Sequence, residues 1–344
     1  MMFTSPKKSW TIRDYVYITA ESIVGLLIIL VNGLVLAALC RYRYLRTVTN
    51  FYIGSLAVAD VLVGLLVPPL VVVAYAGLPQ DFHACVLVNS LVGVFINISV
   101  LSLVCVALDR YWAAMHPVSR LNVLTKGRAV MIVAATWTLG IFVGFFPFMG
   151  WHKNPDGFEL CSYRRVIDVE YNVYIRFFGF KFPLLLAMLY LHARMFCAFH
   201  RAQKQKNIIL FRLIRINVSD GSNKRVQMKL FKTMALIFVV FTLFWVPLFI
   251  VNCIALWSPA TPVDINMTLF AVILTHACSF VNPIIYAVNQ PSFRKVLRRY
   301  IPAFFLDDRR VSQITDTETN PSERLKFTMI SWLSSALKSS PHRS

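Results

Sequence analysis

The chain has 344 residues, 57% hydrophobic and 15% charged, with a mean hydropathy of +0.62. That balance excludes a soluble globular protein. The formal net charge of +19 could suit nucleic acid, but the cations gather in loops between apolar blocks, which makes anionic lipid the partner implied and sets nucleic acid aside.

Crossing a hydrocarbon core of about 30 Å takes roughly 20 helical residues. Blocks of that length run Val16 to Leu39, Phe51 to Tyr75, Cys85 to Ala107, Ala129 to Met149, Tyr171 to Met195, Met234 to Leu256 and Met267 to Val288. The fold class is therefore an all-α membrane protein, a seven-transmembrane helix bundle. Residues 1–14 precede the bundle and residues 15–289 form it. The first span serves as its own signal, with no cleavable leader before it.

Lys and Arg accumulate on the cytoplasmic side of membrane proteins. Arg41, Arg43 and Arg46 follow the first span, Arg120, Lys126 and Arg128 follow the third, and a basic run from Arg201 to Lys232 follows the fifth. Lys7, Lys8 and Arg13 at the start oppose this asymmetry but are outnumbered. The N-terminus is accordingly placed outside, and the C-terminus inside.

Polar groups within spans are costly in lipid, so those present point to function. The first span holds Glu21 and Asn32, the second Asp60, and the third Ser99 and, at its inner end, Asp109-Arg110-Tyr111. Trp137 lies in the fourth, Trp245 and Pro247 in the sixth. The seventh carries Thr275, His276, Ser279, Asn282-Pro283 and Tyr286. Five of the seven cysteines lie in or at the ends of spans, leaving Cys85 and Cys161 on the oxidising side, where a disulfide is expected.

After Pro291, apolar Phe293, Val296, Leu297, Tyr300 and Ile301 recur at helical spacing between Arg and Lys. Residues 290–302 therefore read as a short amphipathic cytoplasmic helix on the membrane surface. The polar tail, 303–344, reads as disordered and a target for phosphorylation.

This joint set of residues resembles the rhodopsin-like (class A) G-protein-coupled receptors, from about Tyr15 to Tyr300. The resemblance implies several roles. Asp60, Ser99 and Ser279 hold a sodium ion in the bundle core or, since Cys278 stands where the family has an oxygen donor, Asp60 is protonated instead. Pro247 and Pro283 are bending points, Trp245 reports ligand contact, and Asp109, Arg110, Tyr111, Asn282 and Tyr286 belong to the switch toward a heterotrimeric G protein. Arrestin and a receptor kinase are the further partners implied, and the plasma membrane is the location.

In the family an acid at the inner start of the sixth span restrains the arginine matched by Arg110; here Gln227 occupies that position, between Arg225 and Lys229. Raised ligand-independent signalling is the expected consequence. Gln227→Glu should lower basal second-messenger output at equal surface expression; unchanged output would refute the idea.

The strings VYITAE (Val16 to Glu21), SLAVADVLVG (Ser55 to Gly64), WVPLFIVNC (Trp245 to Cys253) and ILTHACSFVNPIIYA (Ile273 to Ala287) are most similar to the adenosine receptors. There the matching Glu21 and His276 pair with each other, and Asn252 holds adenine through both ends of its amide. The ligand set implied is Glu21, Val92, Ile96, Tyr163, Trp245, Phe249, Asn252, Thr275 and His276. Val92 stands where amine receptors carry an acid, which disfavours monoamines. Tyr163 replaces a stacking Phe, Arg164 an acid, and Ile96 and Phe249 polar groups, so the purine clamp is kept while polar contacts are lost. Arg176 replaces a small amide, and the fifth span is one residue out of register around Pro183.

Arg164, Arg165 and Arg176 then lie near the outer mouth. They either meet lipid headgroups or Asp168 and Glu170, or admit an anionic purine such as a nucleotide. An orphan receptor for a non-purine small ligand is the rival within the class. A transporter would show repeated broken helices, a retinal pigment a lysine in the seventh span, and an enzyme a nucleophile with its base; none of these is present in the spans.

Overall fold

The computed structural model describes residues 10–116, 124–153, 160–212, 221–258 and 260–289. The proposed amphipathic helix and the tail lie outside them. Seven helices are long and apolar enough to cross a membrane. In chain order they are α1 (Ile12–Arg41), α2 (Val48–Tyr75), α3 (Phe82–Met115), α4 (Lys126–Phe145), α5 (Tyr171–Lys181 continued by Phe182–Arg212), α6 (Gly221–Trp257) and α7 (Ile265–Asn289). Among the described residues there is no strand, only an isolated bridge between His152 and Ile167.

Local chemistry sets the helix starts. Free N–H groups in a first turn need acceptors, and Thr47, Asp81 and Thr125 supply them to Asn50, Ala84 and Arg128. At the start of α1, Asp14 accepts from the Thr11 N–H and hydroxyl at 2.9 and 2.8 Å. The first helix thus begins a turn before its apolar run.

The faces are distributed as lipid demands. Leu26, Leu65, Ile141, Leu243 and Phe270 are exposed on the outer surface, whereas Asn32, Asp60, Asn97 and Asn282 are buried. Helix ridges close on one another at small residues. On α4, Gly140 and Gly144 face α3 so closely that a Cβ on Gly144 would stand 2.6 Å from the Cα of Val94.

Polar groups cross-link the interior. Asn32 on α1 donates to the Ser279 carbonyl on α7 at 3.1 Å. The Trp137 indole on α4 donates to Ser55 on α2 at 3.0 Å, and Ser55 meets Ser102 on α3.

Helix α5 departs from regular winding. Tyr171–Lys181 is π-helical, with hydrogen bonds running i→i+5, a winding found most often at functional sites. Residues five apart then share a face, whereas in an α-helix they would diverge by roughly 140°. Tyr171 donates to the Val143 carbonyl at 2.6 Å, and the Arg176 guanidinium stands 6.0 Å from the Tyr171 ring.

Candidate functional site

A cavity of about 520 Å³ opens between the helices at the end of the bundle where Cys85 and Cys161 form a disulfide. That bond ties the segment between α4 and α5 to the start of α3. A one-turn helix, Tyr163–Val166, follows Cys161, and Tyr163, Arg164 and Arg165 line the cavity. Its size suits a drug-sized small molecule.

Of the residues assigned to the ligand, Val92, Ile96, Tyr163, Trp245, Phe249, Asn252, Thr275 and His276 all line this cavity. Glu21 lies behind His276, fully buried, with its two oxygens 3.1 and 3.0 Å from Nδ1. This contact joins α1 to α7. An acid buried there needs a partner, and His276 supplies one while facing the cavity. Among the described residues, the Asn252 amide makes no hydrogen bond and is free for a ligand. Phe249 stacks on Phe177 with centroids 3.4 Å apart, which closes an apolar wall.

Arg176 does not turn outward to lipid headgroups. It lines the cavity, where Nη1 donates to the Tyr163 hydroxyl at 2.6 Å and to Asn172 at 3.3 Å. Neither Arg164 nor Arg176 forms an ion pair with Asp168 or Glu170 among the described residues. The sequence reading passed over Lys181, which is 5% exposed and lines the same cavity. Its Nζ stands 3.4 Å from the centroid of the Trp245 ring. A lone ammonium within an apolar span was the available signal.

Deeper in the bundle, the Ser99 hydroxyl donates to Asp60 Oδ1 at 2.7 Å. Asp60 Oδ2, Asn282 Oδ1 and Asn32 Oδ1 are buried without a hydrogen-bond partner among the described residues. A small cavity of about 10 Å³, near the minimum for one water, is lined in part by Ser99, Cys278, Ser279 and Asn282. Unsatisfied oxygens suit a hard cation, so the donor set fits sodium, with Cys278 contributing no oxygen.

At the other end, Asp109 is buried and accepts a hydrogen bond from Thr49 on α2. Tyr111 packs beside Met188 and Leu191 of α5. Pro247 and Pro283 lie inside α6 and α7. Gln227 and Tyr286 fall on those helices, but their side chains lie outside the described residues.

Residues 31–286 match the family model for the seven-transmembrane receptors of the rhodopsin family. The chain belongs to that family. This receptor is 34% identical to the mouse (Mus musculus) adenosine receptor A2b over 314 residues, which cover 84% of this chain and 92% of the relative. It is 32% identical to the human (Homo sapiens) adenosine receptor A2b over 317 residues, with the same coverage. It is a class A G-protein-coupled receptor related to the adenosine receptors, a multi-pass membrane protein and not an enzyme.

Proposed function

We propose that this receptor binds an extracellular purine, adenosine or a close relative, and activates a heterotrimeric G protein by outward movement of α6. The observation that carries the reading is the convergence on one cavity of the Glu21–His276 pair and the free Asn252 amide. The relation to receptors named for adenosine supports it.

The N-terminus and the disulfide end face outside the cell, and the receptor resides in the plasma membrane. A purine lies beneath the Cys161 segment with its base against Tyr163 and the Asn252 amide. His276, oriented by Glu21, meets the sugar. Binding favours the state in which α6 bends at Pro247, and Trp245, two residues before that proline, couples the cavity to the bend. Opening of the inner end exposes Arg110 to the G protein and later to arrestin and a receptor kinase. Asp60, Ser99 and Ser279 would hold a sodium ion, whose charge would offset that of a carboxylate in the core.

Second messengers test the reading. Cells expressing the chain should change cyclic AMP or calcium on addition of adenosine, inosine or adenosine monophosphate, and not on addition of buffer. Asn252→Ala should cost about tenfold or more in potency, since two hydrogen bonds are lost. Silence toward every purine at verified surface expression would remove the proposal.

A further inference from the structure

We infer that the ligand of this receptor carries a negatively charged group, a phosphate or a carboxylate, seated between Arg176 and Lys181. The inference rests on the cavity being the ligand site, as proposed above, and adds the charge of what fills it.

Five cations line the cavity: Arg13, Arg164, Arg165, Arg176 and Lys181. Two of them are built into the wall by the winding of α5. Because Tyr171–Lys181 is π-helical, Arg176 and Lys181, five residues apart, both reach the cavity. Two like charges at one low-dielectric wall repel, and an anion between them turns that repulsion into two attractions.

Among the described residues, no acid performs this task. Asp14, which also lines the cavity, caps α1 and meets Arg13 at 3.8 Å. Glu21 is taken by His276. Among the described residues Lys181 has neither a hydrogen bond nor an ion pair, only the Trp245 ring. Arg176 spends Nη1 on Tyr163 and Asn172, while its Nε is buried without an acceptor. Buried cations persist when something pairs with them, and a small anion would complete the pair. Such a group would compete with the Trp245 ring for the ammonium, so charge recognition acts on the residue next to the α6 bend.

The test uses the purified full-length receptor in nanodiscs, with binding read by ligand-induced thermal shift and titration. The probes are adenosine, adenosine monophosphate, ribose 5-phosphate and benzoate; the variants are Lys181→Met, Arg176→Met and Lys181→Arg. Adenosine monophosphate should bind about tenfold or more tighter than adenosine, the scale of a charge-assisted hydrogen bond. Both methionine variants should abolish that excess, bringing the two ligands to equal affinity, while Lys181→Arg retains it. Without ligand, Lys181→Met should melt no lower than the parent, because it deletes an unpaired buried charge. Binding of ribose 5-phosphate or benzoate that needs Lys181, with no binding of adenosine, would support the anion site and refute the purine reading. Equal binding of adenosine and its monophosphate in the parent and all variants would overturn the anion site and leave the purine reading standing. Failure of every anion to bind overturns it as well.

Discussion

Glu21→Ala is expected to abolish high-affinity ligand binding and to lower the stability of the unliganded receptor by about 3 kcal/mol or more, the cost of removing one partner from a buried pair. Glu21 is 0% exposed and touches His276 at 3.0 Å. Without it, the imidazole at the cavity wall loses the group that fixes its tautomer and orientation. The contact also joins the first helix to the last, so its loss frees two elements far apart in sequence. Paired measurements separate the two effects: a melting temperature without ligand and a dissociation constant with it. The reciprocal exchange, Glu21→His with His276→Glu, should recover much of the stability and little of the binding, because the side chain facing the ligand is then an acid. A Glu21→Ala receptor that melts and binds like the parent would show that the pair does neither job.

Cys85→Ser should have the second large effect. The Cys85–Cys161 bond closes a segment of 76 residues, and losing such a cross-link costs about 2–5 kcal/mol. Here the loss also falls on binding, since Tyr163, Arg164 and Arg165 follow Cys161 directly and line the cavity. Less receptor at the cell surface, and weaker binding by the fraction that arrives, are both expected. The Cys161→Ser variant should match it, and the double variant should be no worse than either alone. Additive losses would mean that the two cysteines act independently.

The spans were readable because a bilayer makes length and apolar content nearly sufficient: a block of some twenty apolar residues has few alternatives to a helix. The start of α1 was less visible. Its capping pair, Thr11 and Asp14, is present in the sequence, yet the apolar run that marks a span begins only after it. The candidate pocket was legible where one residue type has one plausible use, as with a buried Glu opposite a buried His. It was not legible on α5. Nothing in the string Tyr171 to Lys181 announces π winding, and under regular winding Arg176 and Lys181 point different ways. In the sequence Arg176 therefore reads only as a cation near the outer mouth, meeting lipid headgroups, Asp168 or Glu170 or admitting an anionic ligand, and Lys181 is given no role. Gly144 illustrates the same limit on packing, since its closeness to Val94 depends on which faces of α3 and α4 meet.

The most direct measurement is equilibrium binding of labelled adenosine to the purified receptor, alone and with nucleotide-free heterotrimeric G protein. Ligand and G protein favour one state, so each must tighten the other by the same factor. The result expected is saturable binding, strengthened about fivefold or more by the G protein and lost in Asn252→Ala. Adenosine binding that is absent, or that neither the G protein nor Asn252→Ala alters, would contradict a purine receptor acting through this cavity.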